Sequence, residues 1–250
     1  MMSGRRASGA NPAHLENGAP TGVPGNVRYR IGKLVAAVPV EGRWLDCGCG
    51  DGAYSRAIRD AGATVVGVEI EPKRLARATD AEDGIEYHLI TGAPLPFADD
   101  TFDGVWLNEV LEHVADETET LGDLRRVLRP GGCLVVMSPN RFFPFEGHGM
   151  QLGGRKVNLP IPLLPWVPSA LSRRVMRARN YWPGELADLI ARNGYEIVHT
   201  ESVMPVFEVF PWLPASVARW YRAHVGTFER VPVISRMGVS TMVVARVPIR

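Results

Sequence analysis

The sequence has little of what marks disulfide-rich or nucleic-acid-binding proteins. Its 250 residues include 3 cysteines, an odd number that is too small for a disulfide framework and is typical of reduced thiols in a cytosolic protein. The 28 basic and 27 acidic residues leave a formal net charge of +1. Because dedicated nucleic-acid binders usually carry a strong basic excess, this balance argues against that class.

The sequence also lacks an apolar run that is long enough to cross a membrane. The most apolar stretch, from Leu159 to Leu171, is interrupted by four prolines, whereas a transmembrane helix needs about 20 consecutive apolar residues. Residues 1–28 have no apolar signal-peptide core and are rich in Gly, Ala, Ser, Asn and Pro. We therefore expect a flexible tail over residues 1–28 and a cytoplasmic protein.

What the sequence does contain is an alternation of strand-like and helix-like segments, with a hydrophobic fraction of 46% that suffices for a full core. Apolar, often β-branched segments predict strands at residues 43–46, 64–69, 85–90, 102–107, 133–137, 195–202 and 240–247. Helical spacing and helix-start prolines predict helices at residues 53–61, 117–128 and 183–192, and one from Pro72. This rhythm predicts one α/β domain over residues 29–250, with helices on both faces of a mostly parallel sheet.

Two segments, 139–182 and 203–238, interrupt this rhythm and are rich in proline and aromatic residues. We expect them to be packed, irregular cap segments rather than linkers. Open α/β sheets bind ligands outside the carboxyl ends of their strands. The two segments are therefore predicted to lie together above that edge and to form a mobile lid over the acceptor.

A glycine-rich loop follows the first predicted strand. Its spacing, Gly48-x-Gly50-x-x-Ala53, partly fits the dinucleotide fingerprint, which leaves an NAD-dependent oxidoreductase as one alternative. However, Asp46 precedes the loop and Asp51 lies inside it. Carboxylates at these positions repel a pyrophosphate and suit a cationic ligand better.

The sequence resembles the class I S-adenosylmethionine-dependent methyltransferases, in the branch called methyltransferase type 11. The resemblance covers roughly residues 44–138 in ordered blocks: LDCGCGDG at 45–52, VVGVEIEP at 65–72, LPFADDTFDGVW at 95–106, NEVLEHV at 108–114 and LRRVLRPGGCLVV at 124–136. It implies a Rossmann-like, doubly wound, mostly parallel seven-stranded sheet whose last strand is antiparallel. It also implies S-adenosylmethionine as the cofactor.

The same resemblance implies which residues contact the cofactor. In the loop they are Asp46, Gly48, Cys49, Gly50, Asp51 and Gly52; at the following strand ends they are Glu69, Ile70, Thr91, Gly92, Ala93, Asn108 and Glu109. Glu69 would accept hydrogen bonds from the two ribose hydroxyls, and Ile70 would pack on the adenine. The family often has Asp-Ala near the end of the third strand, where this chain has the segment Thr91-Gly92-Ala93, so the adenine amine contact would fall to Thr91 or to the backbone.

No metal site is predicted. Cys47-x-Cys49 has the wrong spacing for a zinc knuckle and no His/Cys pair follows it. The sequence leaves a divalent metal possible but does not indicate one.

The methyl group of a sulfonium is already activated, so a catalytic base is needed only if the acceptor keeps its proton at neutral pH. The leading candidate is His148 in a glycine-flanked loop, with Glu146 to fix its tautomer. His113 is a second candidate for the base, or it is a structural hydrogen-bonding residue.

The leading function is O-methylation of a hydroxyl on a saccharide or another polar small molecule. Arginines and the absence of acidic residues between Glu146 and Glu185 also suit an anionic acceptor. The alternatives are C- or N-methylation of an aromatic or quinone-like metabolite, the oxidoreductase, and a cofactor-binding module that has lost catalysis. We expect no nucleic-acid partner, and a homo-oligomer stays open.

Overall fold

The computed structural model describes residues 24–146, 150–152, 155–157, 161–168, 171, 175–176, 178–205 and 214–249. The strands of its main sheet are β1 (Arg43–Cys47), β2 (Thr64–Glu69), β3 (Glu86–Leu89), β4 (Phe102–Asn108), β5 (Leu128–Pro139), β10 (Glu196–Val203) and β11 (Ser240–Arg246). Four short strands lie between β5 and β10: β6 (Phe145–Glu146), β7 (Met150–Leu152), β8 (Arg155–Val157) and β9 (Ile161–Pro162).

The seven-stranded sheet has the order β10-β11-β5-β4-β1-β2-β3. Five neighbouring strands, β3, β2, β1, β4 and β5, run parallel, and β11 is antiparallel to both β5 and β10. This arrangement confirms the predicted mostly parallel sheet with an antiparallel last strand. Because β1 lies between β2 and β4, the carboxyl ends of these three strands meet at the centre of one edge.

Helices cover both faces of the sheet: α1 (Pro24–Ala37), α2 (Ala53–Asp60), α3 (Pro72–Thr79), α4 (Glu117–Val127) and α5 (Pro183–Arg192). Helix α4 illustrates how the sequence specifies them. The Asp116 carboxylate accepts hydrogen bonds from the first free backbone N–H groups of α4, and Leu121, Leu124 and Val127 are buried against the sheet on its inner face. Because the strands are covered on both sides, β4 and β5 are apolar almost without alternation.

Helix α1 begins inside the segment 1–28 that the sequence analysis assigns to a tail. Its residues Arg30 and Leu34 are buried, so this helix is packed into the domain from Pro24 onward. The hydropathy pattern of α1 predicts a helix only weakly, because the face that packs against the domain includes the charged Arg30. Strand β5 also starts earlier than predicted, at Leu128, with a register shift against β4.

Both interruptions of the α/β rhythm begin at the carboxyl edge of the sheet, where Val203, Ser240 and Pro139 are paired across three strands. The second interruption was expected to be irregular. It instead contains two helices, α6 (Ala215–Phe228) and α7 (Pro232–Arg236). Among the side chains of α6 that the structure describes, Tyr221 is buried and most of the others are exposed.

One side chain connects the two interruptions. Asn140 lies at the start of the first one, and its Nδ2 donates to the carbonyl oxygens of Arg236 at 2.9 Å and Gly238 at 2.8 Å, at the end of the second. In the described part of the chain, no helix combines the length and apolar character needed to cross a membrane.

Candidate functional site

The loop after β1 is held against the end of β2. The backbone N–H groups of Gly48 and Cys49 both donate to the carbonyl oxygen of Val68, at 2.8 and 2.9 Å. Gly48, Gly50 and Gly52 have positive φ angles of 83°, 59° and 80°, which favour glycine. A Cβ atom at Gly48 would lie 2.4 Å from Val110 Cγ2, so this passage of the loop accepts no side chain.

Glu69 is the residue that joins the loop to the end of β2. Its Oε2 accepts a hydrogen bond from the Gly50 N–H at 2.8 Å, and its Oε1 accepts from the N–H groups of Ile70 at 2.7 Å and Glu71 at 3.0 Å. The side chain is buried. Because a carboxylate oxygen accepts about two hydrogen bonds, Oε2 retains capacity for one more donor, such as a ribose hydroxyl.

Asp46 lies at the end of β1, almost completely buried. Burial raises the pKa of its carboxyl to about 7, a hydrogen bond from Ser55 Oγ opposes that rise, and the charge of Glu69 adds to it. The Ser55 Oγ to Asp46 Oδ2 distance is 2.6 Å. The carboxyl is therefore poised between its two protonation states near neutral pH.

The cysteines of this region are not suited to nucleophilic or metal chemistry. Cys47 and Cys49 are buried and form no disulfide; burial raises the pKa of the Cys47 thiol to about 12 and shifts that of Cys49 upward as well. In the described ranges, no group of three His, Cys, Asp or Glu side chains is arranged to hold a metal ion.

Asn108 ends β4 and Glu109 follows it, and a buried arginine of α1 fixes both. Arg30 Nη1 donates to Asn108 Oδ1 at 2.6 Å and to Glu109 Oε1 at 2.8 Å. Arg30 Nη2 donates to Ser240 Oγ at 2.9 Å, and that hydroxyl donates to Glu109 Oε1. Glu109 also has a positive φ of 55°, an uncommon conformation that this network of contacts maintains.

A second carboxyl group and a histidine follow in the 3-10 turn Leu111–His113. Glu112 is buried, and Ser138 Oγ donates to its Oε2 at 3.1 Å. Burial, and next the charge of Glu109, raise the pKa of Glu112 well above its usual range. His113 Nε2 lies 3.9 Å from Glu112 Oε1, and the His113 side chain is 23% exposed.

The first interruption crosses this turn. The N–H of Arg179 donates to the carbonyl oxygen of Glu112 at 3.3 Å, and Arg179 Nη1 donates to that of Val114 at 2.7 Å. Tyr181 Oη donates to Glu117 Oε1 at 2.6 Å. Arg179 therefore holds the chain in place, which leaves it less available to an anionic acceptor than the sequence analysis expects.

The remaining predicted site residues lie at or beyond the edges of this cluster. The segment from Thr91 to Ala93 follows β3, where Ile90 N–H donates to the Glu69 carbonyl oxygen at 2.9 Å; Thr91 is exposed and the segment has no carboxylate. His148 lies outside the described residues, as do Arg173, Arg174, Arg177 and Trp212. The backbone of Glu146 pairs with Ile161, but its side chain lies outside what the structure describes.

The structure thus brings together Asp46, the loop glycines, Glu69, Asn108 and Glu109 at the central carboxyl edge, as predicted for neighbouring strand ends. Sequence reasoning missed Arg30, Ser240 and Ser138, which contact the Glu109–Glu112 pair.

The site fits a cofactor of mixed charge. Acidic oxygens of Asp46, Glu69 and Glu109 surround the loop, and they suit an ammonium, a sulfonium or a ribose diol. The glycine passage leaves room for the backbone to approach such a ligand closely.

Comparisons with known proteins agree with this geometry. The family model described as "Methyltransferase domain" matches residues 45–136. The chain is 33% identical over 184 residues to the ubiquinone biosynthesis O-methyltransferase of Cereibacter sphaeroides, covering 72% of this chain and 70% of that protein.

Two solved structures share the fold. The S-adenosylmethionine-dependent methyltransferase of Mesorhizobium loti has a TM-score of 0.58 at 24% identity, covering 86% of this chain and 96% of that chain. A methyltransferase of Methanosarcina mazei has a TM-score of 0.60 at 16% identity, covering 87% of this chain and 98% of that chain.

Proposed function

The chain belongs to the class I S-adenosylmethionine-dependent methyltransferases, and from that premise we propose that it methylates a hydroxyl oxygen on an aromatic, quinone-like acceptor. Its cofactor is S-adenosylmethionine, which supplies a methyl group activated by a sulfonium. The observation that carries the choice of acceptor is the 33% identity to an O-methyltransferase of ubiquinone biosynthesis over 70% of that protein. The saccharide acceptor expected from the sequence has no comparable support.

The residues of the loop and of β2 bind and orient the cofactor. Gly48, Gly50 and Gly52 let the backbone pass beneath it, and the free acceptor position on Glu69 Oε2 takes a hydrogen bond from a ribose hydroxyl. Asp46 and Asp51 face the positively charged end. The carboxylates of Asp46 and Asp51 would repel the pyrophosphate of a dinucleotide, so an NAD-dependent oxidoreductase has less support.

His113 is the residue among the described ones that supports acceptor deprotonation best. It follows Asn108 and Glu109 on the same edge, it is partly exposed, and the first interruption passes over its turn through Arg179. The buried Glu112 carboxyl lies beside it, with Oε1 3.9 Å from His113 Nε2, close enough to help orient the imidazole for accepting a proton.

The pKa of the acceptor favours a phenol over a sugar. A phenolic hydroxyl ionises near pH ~10 and a histidine near ~6.5, so proton transfer to imidazole is uphill by only a few pKa units as the methyl group arrives. A sugar hydroxyl is much less acidic and would need a stronger base. Orientation of the oxygen in line with the methyl group supplies the rest of the rate.

The experiment that tests this function measures release of S-adenosylhomocysteine with a catechol, a hydroquinone and an aliphatic polyol as acceptors. We expect turnover with the aromatic hydroxyls, an oxygen-methylated product by mass spectrometry, and none with the polyol. Methyl transfer to carbon or nitrogen, or turnover of the polyol alone, would overturn the proposal. Tight cofactor binding without turnover of any acceptor would favour the non-catalytic module instead.

The base is tested by His113→Gln and His148→Gln, compared with the wild type on the accepted substrate. Loss of a general base lowers kcat typically by ~100- to 10,000-fold, with cofactor affinity nearly unchanged. We expect this for His113→Gln. The same loss in His148→Gln alone would transfer the role to His148, the leading candidate in the sequence.

A further inference from the structure

Two consecutive residues of α1 contact two different parts of the protein. Neighbouring side chains on a helix point about 100° apart, because one turn contains 3.6 residues. Arg30 is directed at the carboxyl edge of the sheet, whereas Tyr29 is directed at the second interruption. A shift of α1 that moves one of these side chains therefore also moves the other.

The Tyr29 hydroxyl bonds to two separate points of the second interruption. Tyr29 Oη accepts a hydrogen bond from the N–H of Met204 at 3.2 Å, at the start of this segment, and donates to Glu229 Oε1, just after α6. Lys33, one helical turn further along α1, forms an ion pair with Glu229 at 2.8 Å, and its Nζ lies 5.7 Å from the centre of the Tyr29 ring. The position of α1 is therefore linked to that of the second interruption.

Arg30 makes the corresponding connection to the end of β4. It is buried, and its Nη1 donates to Asn108 Oδ1 at 2.6 Å and to Glu109 Oε1 at 2.8 Å. Glu109 has a positive φ of 55°, a conformation that persists only where the surrounding contacts impose it. The orientation of Asn108 and Glu109 therefore depends on where α1 holds the guanidinium of Arg30.

We propose that Tyr29 is a positioning residue for the binding of S-adenosylmethionine and that it acts through Arg30. By bonding to Met204 and Glu229, Tyr29 holds α1 where Arg30 reaches the end of β4. In the described part of the chain, the Tyr29 hydroxyl bonds to the second interruption rather than to the residues proposed to bind the cofactor. This role rests on the cofactor site proposed above and is independent of the acceptor.

Coupling of this kind works in both directions. If the second interruption supports the cofactor site through α1, a bound cofactor supports the second interruption to the same extent, because coupling free energies between two sites are reciprocal. A ligand at the carboxyl edge is therefore expected to slow the local opening of α6, whose last residue precedes Glu229. A purely structural Tyr29 would produce no such effect.

The first test compares Tyr29→Phe with Tyr195→Phe in calorimetric titrations of the full chain with S-adenosylhomocysteine. Each substitution removes one hydrogen-bonded hydroxyl and keeps the ring; Tyr195 Oη donates to the carbonyl oxygen of Leu121 on α4 at 2.9 Å. We expect Tyr29→Phe to weaken the affinity roughly fivefold or more, the lower end of typical coupling between sites. Tyr195→Phe should leave the affinity unchanged. Unfolding in urea checks that both variants are folded.

The second test asks whether the effect of Tyr29 passes through Arg30. Arg30→Lys keeps the positive charge but loses the planar fork that contacts Asn108, Glu109 and Ser240 together, so it should weaken the affinity by itself. If Tyr29 acts through this fork, adding Tyr29→Phe to Arg30→Lys should weaken the affinity by less than about twofold further. Two losses that multiply would show that the two residues act independently.

The third test measures hydrogen exchange of α6 in the free protein and with S-adenosylhomocysteine at saturation. We expect the ligand to slow exchange in residues 215–228 of the wild type and of Tyr195→Phe, and to do so less in Tyr29→Phe. The proposal is overturned if Tyr29→Phe binds as tightly as Tyr195→Phe, if the losses in the double variant multiply, or if the ligand leaves exchange in α6 of the wild type unchanged. Failure of the wild type to bind S-adenosylhomocysteine would overturn the cofactor site itself, and with it this role of Tyr29.

Discussion

The carboxyl edge of the sheet and the α6–α7 face, by which we mean the exposed side chains of α6 and α7, treat polar and apolar groups in opposite ways. At the edge, charged side chains are buried and bonded to each other or to the backbone, as Arg30, Asp46 and Glu69 are. On the face, tryptophan, valine and isoleucine are exposed. At the edge the polar groups are paired within the chain, whereas on the face large apolar groups contact solvent.

The largest expected effect comes from breaking the buried ion pair at the edge. Arg30→Met leaves Glu109 without its cation and removes hydrogen bonds to Asn108 and Ser240. Removal of one partner from a buried pair typically costs ~3 to 5 kcal/mol. Because the Glu109 side chain is 25% exposed, the free energy of unfolding, measured in urea, should fall by the lower end of that range, about 3 kcal/mol.

Lys33→Met is the matched control on the same helix. Lys33 is only partly buried and pairs with Glu201 and Glu229, away from the strand ends. The Lys33→Met substitution should lower the free energy of unfolding by ~1 kcal/mol or less. Equal losses in the two variants would show that the edge has no special dependence on Arg30.

The next effect concerns the cofactor. Glu69→Ala removes a charged hydrogen-bond acceptor worth ~1.5 to 3 kcal/mol, which should weaken S-adenosylmethionine binding by roughly 10- to 150-fold in a calorimetric titration. Because Glu69 also accepts three backbone N–H groups, the substitution should reduce stability as well, which the sequence alone did not indicate. The neighbouring variant Glu71→Ala should keep its affinity; unchanged affinity in Glu69→Ala would remove Glu69 from the site.

Asp46 should make stability depend on pH. Its pKa is raised by burial to about 7 in the folded protein from a usual value of 3.8, so the folded state binds more protons between these values. Stability should therefore fall as pH rises from about 4 to about 7, by at most ~1.4 kcal/mol per unit. Asp46→Asn should flatten that slope in unfolding curves, and an identical slope in both proteins would contradict the burial argument.

The smallest effect is expected on the exposed face. Val233→Ser removes an apolar side chain that contacts mainly water, and such surface substitutions usually change stability by less than ~0.5 kcal/mol. Thermal unfolding should show no shift beyond that range. A clear loss would mean that Val233 is covered within the chain, and the contrast between edge and face would disappear.

The strands and helices of the main sheet could be predicted well from the sequence, because they alternate and each kind of segment has its own hydrophobic pattern. Gly48, Asp46 and Glu69 could also be placed from it, since the ends of neighbouring parallel strands must meet. Arg30 could not, because its role depends on a helix whose polar inward residue obscures the pattern and on Ser240, which is 210 positions away. Helix α6 was missed because the whole proline- and aromatic-rich segment 203–238 was interpreted as irregular, although residues 215–228 contain no proline.

The side chain of Asn140 has a consequence for how this enzyme can diversify. Its hydrogen bonds to the carbonyl oxygens of Arg236 and Gly238 connect the start of the first interruption to the end of the second. Once these two positions are fixed, each doubling of the length of either interruption costs only ~0.6 kcal/mol of loop-closure entropy. Insertions or deletions beyond these two positions should therefore be tolerated while the strands of the sheet keep their register.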